Sequence, residues 1–115
     1  MKDWRAIRNR YLQDELPIRL GGIASNLGRV KSFAPHHANH EAVASLIEES
    51  KFFIEWTAGE SDINTAAELV KLQLQLAIWQ LKWDLIWEDR AEREKLSQAS
   101  GGWSQRVLQL SGLLE

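Results

Sequence analysis

Apolar side chains recur at intervals of three and four along most of the chain, and no segment alternates with the period of two that a half-buried strand requires. The clearest stretch runs from Asp62 to Glu88, DINTAAELVKLQLQLAIWQLKWDLIWE, without Gly or Pro. As one helix it would be roughly 40 Å long. Setting successive residues about 100° apart separates it into two apolar arcs. Leu69, Leu72, Leu76, Trp79, Trp83 and Trp87 form the first, and Ala67, Val70, Leu74, Ala77, Ile78, Leu81 and Leu85 the second. Gln73, Gln80 and Asp84 divide them on one side, with Glu68, Lys71, Gln75 and Lys82 on the other. A helix that is apolar on two faces must be covered twice. This places 62–88 at the centre of the expected fold.

The flanking pattern predicts four more helical segments. Residues 3–15 form a short helix with Asp3 as N-cap, Trp4, Ile7 and Tyr11 on one side, and Arg5, Arg8 and Arg10 around the rest. Pro17 disfavours helical geometry at Leu16 and marks a kink or restart. Leu16, Leu20, Ile23, Leu27, Val30 and Ala34 then make a four-three seam. Gly21, Gly22 and Gly28 each weaken that helix by about 1 kcal/mol relative to Ala. They either admit a bulky partner such as Trp to the backbone or leave the segment frayed. Pro35 to Asn39 reads as a turn, with Asn39 capping the next helix. There Val43, Leu46, Ile47, Phe53, Ile54 and Thr57 line one face, with Phe52 and Trp56 beside it and Glu48, Glu49 and Glu55 elsewhere. Gly59 is the expected C′ residue, and so short a link into 62–88 makes the two helices antiparallel neighbours. Asp89 with Glu92 resembles a capping box. Leu96, Ala99, Trp103, Val107, Leu110 and Leu114 continue across Gly101-Gly102 as one helix with a soft point, the alternative being two short helices hinged there. The expected fold is an all-α, single-domain bundle of about four helices spanning 1–115.

Composition narrows the setting. The 115 residues carry a formal net charge of −2 and no cysteine, which excludes disulfides and thiolate metal sites and suits a reducing, cytoplasmic location. The N-terminus lacks an apolar signal core. Lys71, Lys82 and Asp84 interrupt the 62–88 stretch, and charges at a helix centre cost about 2.5–3.5 kcal/mol each on insertion, so it is not expected to span a membrane. Charge is uneven: residues 1–34 hold seven Lys/Arg and three Asp/Glu, and residues 35–115 hold seven and thirteen. The basic first helix with Trp4 and Tyr11 is a pattern that could track a nucleic-acid backbone. It could equally pair with the chain's own acidic faces, and no reader motif supports nucleic acid.

Candidate chemistry is sparse. His36, His37 and His40 with Glu41, in PHHANHE, place two donor pairs four residues apart, as zinc ligation on a helix requires. The cluster opens a helix, however, whose N-terminal dipole disfavours a cation, and the HExxH spacing is absent. It reads as solvated turn histidines. Trp79, Trp83 and Trp87 make a column that could stack on a flat apolar ligand, although such a stripe more often serves packing. No cofactor motif is present, and no nucleophile, base and acid converge to suggest an enzyme. Asp84, between the arcs, is the one carboxylate expected to be partly buried. The expected function is therefore a non-enzymatic helical interaction or scaffolding protein. It self-associates as a homodimer through the arc of Leu69, Leu72, Leu76, Trp79, Trp83 and Trp87, with the second arc packed on the chain's own helices. A small-ligand binder and a nucleic-acid-associated protein are the alternatives.

Overall fold

The computed structural model describes residues 2–114, and these are 86% helical with no strand. Six α-helices follow one another: α1 (Trp4–Tyr11), α2 (Leu16–Phe33), α3 (His40–Thr57), α4 (Ile63–Leu81), α5 (Trp83–Glu88) and α6 (Arg90–Ser111). Single 3-10 turns at His37–Asn39 and Ala58–Glu60 precede and follow α3. The fold is the expected all-α bundle, with more and shorter helices than the pattern suggested.

Three aspartates start helices by giving an oxygen to unpaired first-turn N–H groups. Asp3 accepts from Ala6 N at 3.1 Å, Asp62 from Thr65 N at 2.8 Å, and Asp89 from Ala91 N at 2.9 Å. The Thr65 hydroxyl also donates to Asp62, and these bonds hold the Asp62 carboxyl below its usual range. Pro17 lies in the first turn of α2, where a missing N–H costs nothing, so the chain restarts there and α1 stops at Tyr11 rather than residue 15. Other expected caps are different in fact. Asn39 makes no cap bond to α3; its amide donates to Phe33 O at the end of α2. Glu92 accepts from Lys95 instead of completing a box. Gly59 sits inside a 3-10 turn, and the left-handed C-cap belongs to Gly112, at φ 75°.

The centre of the bundle is α2, not the 62–88 stretch. Ile23, Leu27 and Val30 on α2 are completely buried, and α2 lies between α6 and α3. Helix α4 runs antiparallel to α3, as the short link requires: Lys51 Nζ donates to Gln80 at one end while Ile54 and Ala58 lie beside Val70 at the other. The long helix expected over 62–88 is broken at Lys82, whose φ of −100° and ψ of 16° leave the helical region. No Gly or Pro causes the bend. What α5 gains beyond it is a partner for each indole N–H, described below.

The closest helix pair is α2 with α6, and its contact is polar. Three α6 hydroxyls donate across the interface to α2 carbonyls: Ser97 to Lys31 O at 2.7 Å, Ser100 to Leu27 O at 2.8 Å, and Ser104 to Ala24 O at 2.6 Å. The ladder runs in opposite directions on the two helices, so they are antiparallel. Side chains this small bring the backbones together, and Gly101 continues the stripe, since a Cβ there would lie 2.7 Å from Lys31 Cδ. Gly21 serves the same closeness on α2, but the group that approaches it is Leu113, not a Trp. Helix α6 passes through Gly101-Gly102 without a hinge. Leu96 and Val107 are buried as the expected stripe requires, but Ser97, Ser100 and Gly101 are inside with them, whereas Ala99 and Leu114 are exposed.

Candidate functional site

The first apolar arc is core. Leu69, Leu72 and Leu76 have no exposed surface, Trp79 and Trp87 are 7% and 1% exposed, and Trp83 is half-buried. Side chains without accessible surface have nothing to offer a second subunit, so the expected two-fold interface through Leu69, Leu72, Leu76, Trp79, Trp83 and Trp87 is overturned. The reason is area. Tryptophan carries more apolar surface than any aliphatic residue, and folding gains most by burying the richer of two arcs.

Burying indoles obliges the fold to satisfy their N–H groups. Trp87 Nε1 donates to His37 O at 2.9 Å, and Trp83 Nε1 to His40 Nε2 at 2.8 Å. The two indoles stack at 4.9 Å, and the His40 ring stands edge-on to Trp87 at 5.5 Å. Arg93 closes the other side, donating to Trp87 O at 2.6 Å with its guanidinium over the ring. Trp83 and Trp87 therefore stack on each other and on protein groups, so the facing sides of these two rings are taken. His40 is thus a structural acceptor rather than a merely solvated turn residue. His36, His37 and His40 are exposed, and among the described residues no three His, Asp or Glu side chains are grouped to hold a metal ion.

The aromatics of the basic N-terminal helix are also committed inward. Trp4 packs on Phe52 at 4.3 Å and Tyr11 stacks on Phe53 at 4.0 Å, nearly parallel. The Tyr11 hydroxyl donates to Arg19 O at 2.8 Å, so the Thr57 hydroxyl 3.0 Å away supplies its own proton to Tyr11. Burial pushes the Tyr11 pKa up to about 12. Buried Arg19 makes a forked pair with Glu60, at 2.7 and 3.3 Å, and this bond holds the Glu60 carboxyl below its ordinary range. Lys2 pairs with Glu49 at 3.8 Å. Part of the basic N-terminal charge is thereby answered by the chain's own acids, while Arg5, Arg8 and Arg10 stay exposed. Asp84, expected partly buried, is exposed as well.

What the core leaves uncovered is the second arc. Val70, Leu74, Ile78, Leu81 and Leu85 are 62%, 63%, 39%, 84% and 76% exposed, and Ile63 at the start of α4 is 84% exposed. With exposed Ala67 and half-buried Ala77 they form a continuous apolar stripe down α4 and onto α5. Beside it a groove between α3 and α4 opens in two joined parts. An apolar part of 420 Å³ is lined by Ile54, Ala58, Val70, Leu74 and Ala77, and a polar part of 320 Å³ by Glu48, Lys51, Phe52, Gln73 and Gln80. Gln73 gives its amide to Lys51 O, and its buried Oε1 has no partner within the chain. Monomeric proteins seldom leave apolar patches beyond a few hundred Å² in one place, and this stripe is the candidate interaction surface. Pattern reading found both arcs but assigned them the wrong way round. No helix among the described residues is long and apolar enough to cross a membrane. No family model, curated protein or solved structure matches the chain.

Proposed function

We propose that the protein is a non-enzymatic helical interaction module of the cytoplasm that self-associates through the exposed stripe of α4 and α5. The single observation carrying this reading is the run of six large aliphatic residues, from Ile63 to Leu85, left exposed along α4 and α5. Their combined exposure equals about four whole side chains. Burying one Val, Leu or Ile side chain contributes roughly 1.5–3 kcal/mol. Two copies covering each other would gain on the order of 12–24 kcal/mol by this area-transfer scale, against an association cost of about 4–15 kcal/mol. The stripe thus supplies the apolar centre that such an interface needs. The small-ligand and nucleic-acid alternatives gain no comparable support. Trp83 and Trp87 stack on each other, and Trp4 and Tyr11 lie against α3 rather than free to stack on bases.

Sedimentation across a concentration range tests the proposal. The wild-type chain is expected to pass from monomer to dimer in the micromolar range. The double variant Leu74→Glu, Leu81→Glu is expected to keep its far-UV helical spectrum and remain monomeric, because both side chains already face water. A wild-type chain that is still monomeric at high micromolar concentration overturns self-association.

A further inference from the structure

The stripe has an internal symmetry that specifies how a second copy would sit. Its exposed apolar positions, Ile63, Ala67, Val70, Leu74, Ile78, Leu81 and Leu85, are separated by four, three, four, four, three and four residues. The sequence of intervals is the same read from either end, with Leu74 at its middle. At about 100° per residue the six positions on α4 lie within an arc of about 80°, and Leu85 lies past the bend on α5. We infer that two copies pair through α4 in antiparallel orientation about a two-fold axis at Leu74, an inference that rests on the self-association proposed above. Leu74 then meets its own copy, Val70 meets Ile78, and Ala67 meets Leu81, small against large. Ile63 meets Leu85 at the rim, beyond the bend at Lys82.

Charge separates this arrangement from its parallel counterpart. Lys71 and Lys82 flank the stripe. In a parallel two-fold dimer each residue faces its own copy, which sets Lys71 beside Lys71 and Lys82 beside Lys82, and like charges directly opposed oppose pairing. In the antiparallel register Lys71 falls opposite Ala77 and Lys82 opposite Ala66. The area is also of the right order. Side chains of this class carry roughly 60–120 Å² of apolar surface each, so the stripe's aliphatic residues alone supply on the order of 250–500 Å² per copy. The Lys71 and Gln73 stems and the rim of the α3–α4 groove extend this toward the ~800 Å² per copy of a standard interface.

The absence of native cysteine makes cross-linking a clean test. A disulfide forms where Cα atoms come within about 4.4–6.8 Å. Under mild oxidation Leu74→Cys is expected to link to itself, whereas Gly59→Cys, on an exposed turn, stays monomeric. Val70→Cys and Ile78→Cys are each expected to stay unlinked alone and to link when mixed, because Val70 and its own copy would be offset by eight residues, about 12 Å. Self-linking of both Val70→Cys and Ile78→Cys alone would mean a parallel pair; it overturns the antiparallel register and leaves stripe-mediated self-association standing. A wild-type dimer in sedimentation with no linkage at any of the three stripe positions places the interface elsewhere and overturns both. A wild-type monomer does the same.

Discussion

Tyr11 is the chain's one tyrosine, and burial sets both its contacts and its acidity. Desolvation disfavours the phenolate and outweighs the opposing help of the Thr57 hydrogen bond and the nearby Arg19 charge. Its folded pKa of about 12 lies above the ordinary value of 10.0. The resulting stabilisation is fully present below pH 10 and is lost as pH rises toward 12, because the unfolded chain gives up the proton first. The tyrosinate absorbance band reports this residue alone. It is expected to titrate close to pH 12 in the native protein and close to 10 in concentrated urea, and a native midpoint near 10 would overturn the account. That Tyr11 faces the core was legible from its spacing with Trp4 and Ile7. The burial of Arg19 and Arg93 was not, since an arginine reads as surface until a Glu60 or a Trp87 carbonyl is seen to receive it.

At the scale of the element, α6 departs furthest from what its pattern suggested. The expected stripe followed Leu96, Ala99, Trp103 and Val107; Leu96 and Val107 are buried, but serines and a glycine lie against α2 where Ala99 was expected inside. Serine belongs at a close helix contact when its hydroxyl can reach a carbonyl on the neighbour, and hydrophobic periodicity carries no signal of that. Ser100 has no exposed surface. Ser100→Ala is expected to lower stability by about 0.5–1.5 kcal/mol through the lost bond to Leu27 O. Gly102, in contrast, faces open space in mid-helix, with nothing within 4 Å of where a Cβ would stand. Gly102→Ala is expected to raise stability by about 0.5–1 kcal/mol, because it removes backbone entropy at no steric cost. Urea midpoints of the two variants check both directions, and a Gly102→Ala protein less stable than wild type would mean this position is not open.

For the whole molecule, the sharpest consequence of the fold is that Leu72 and Leu74, two residues apart on α4, lead opposite lives. Leu72 is wholly buried and Leu74 is 63% exposed. Leu72→Ala opens a cavity and is expected to cost about 2–5 kcal/mol. Leu74→Ala, measured at concentrations low enough to hold the chain monomeric, is expected to stay within about ±0.5 kcal/mol. Similar losses from both would mean that the second arc is also covered within the monomer, and the basis for self-association would disappear.

Local chemistry determined what local chemistry controls. The three-and-four spacing specified helices throughout, the aspartates at 3, 62 and 89 started three of them, and Pro17 restarted the chain after α1. The short link after α3 made α3 and α4 antiparallel. Periodicity also drew the two arcs of 62–88, but a helical wheel has no memory of which side a neighbour occupies. Three decisions were left to the tertiary structure. It made α2 the centre, because small residues let α6 approach it closely. It bent the chain at Lys82, where the indoles of Trp83 and Trp87 reach acceptors on the first residue of α3 and in the turn before it. And it turned the tryptophan arc inward and the aliphatic arc outward, because one chain has surface enough to cover only one of them and the arc with more area wins.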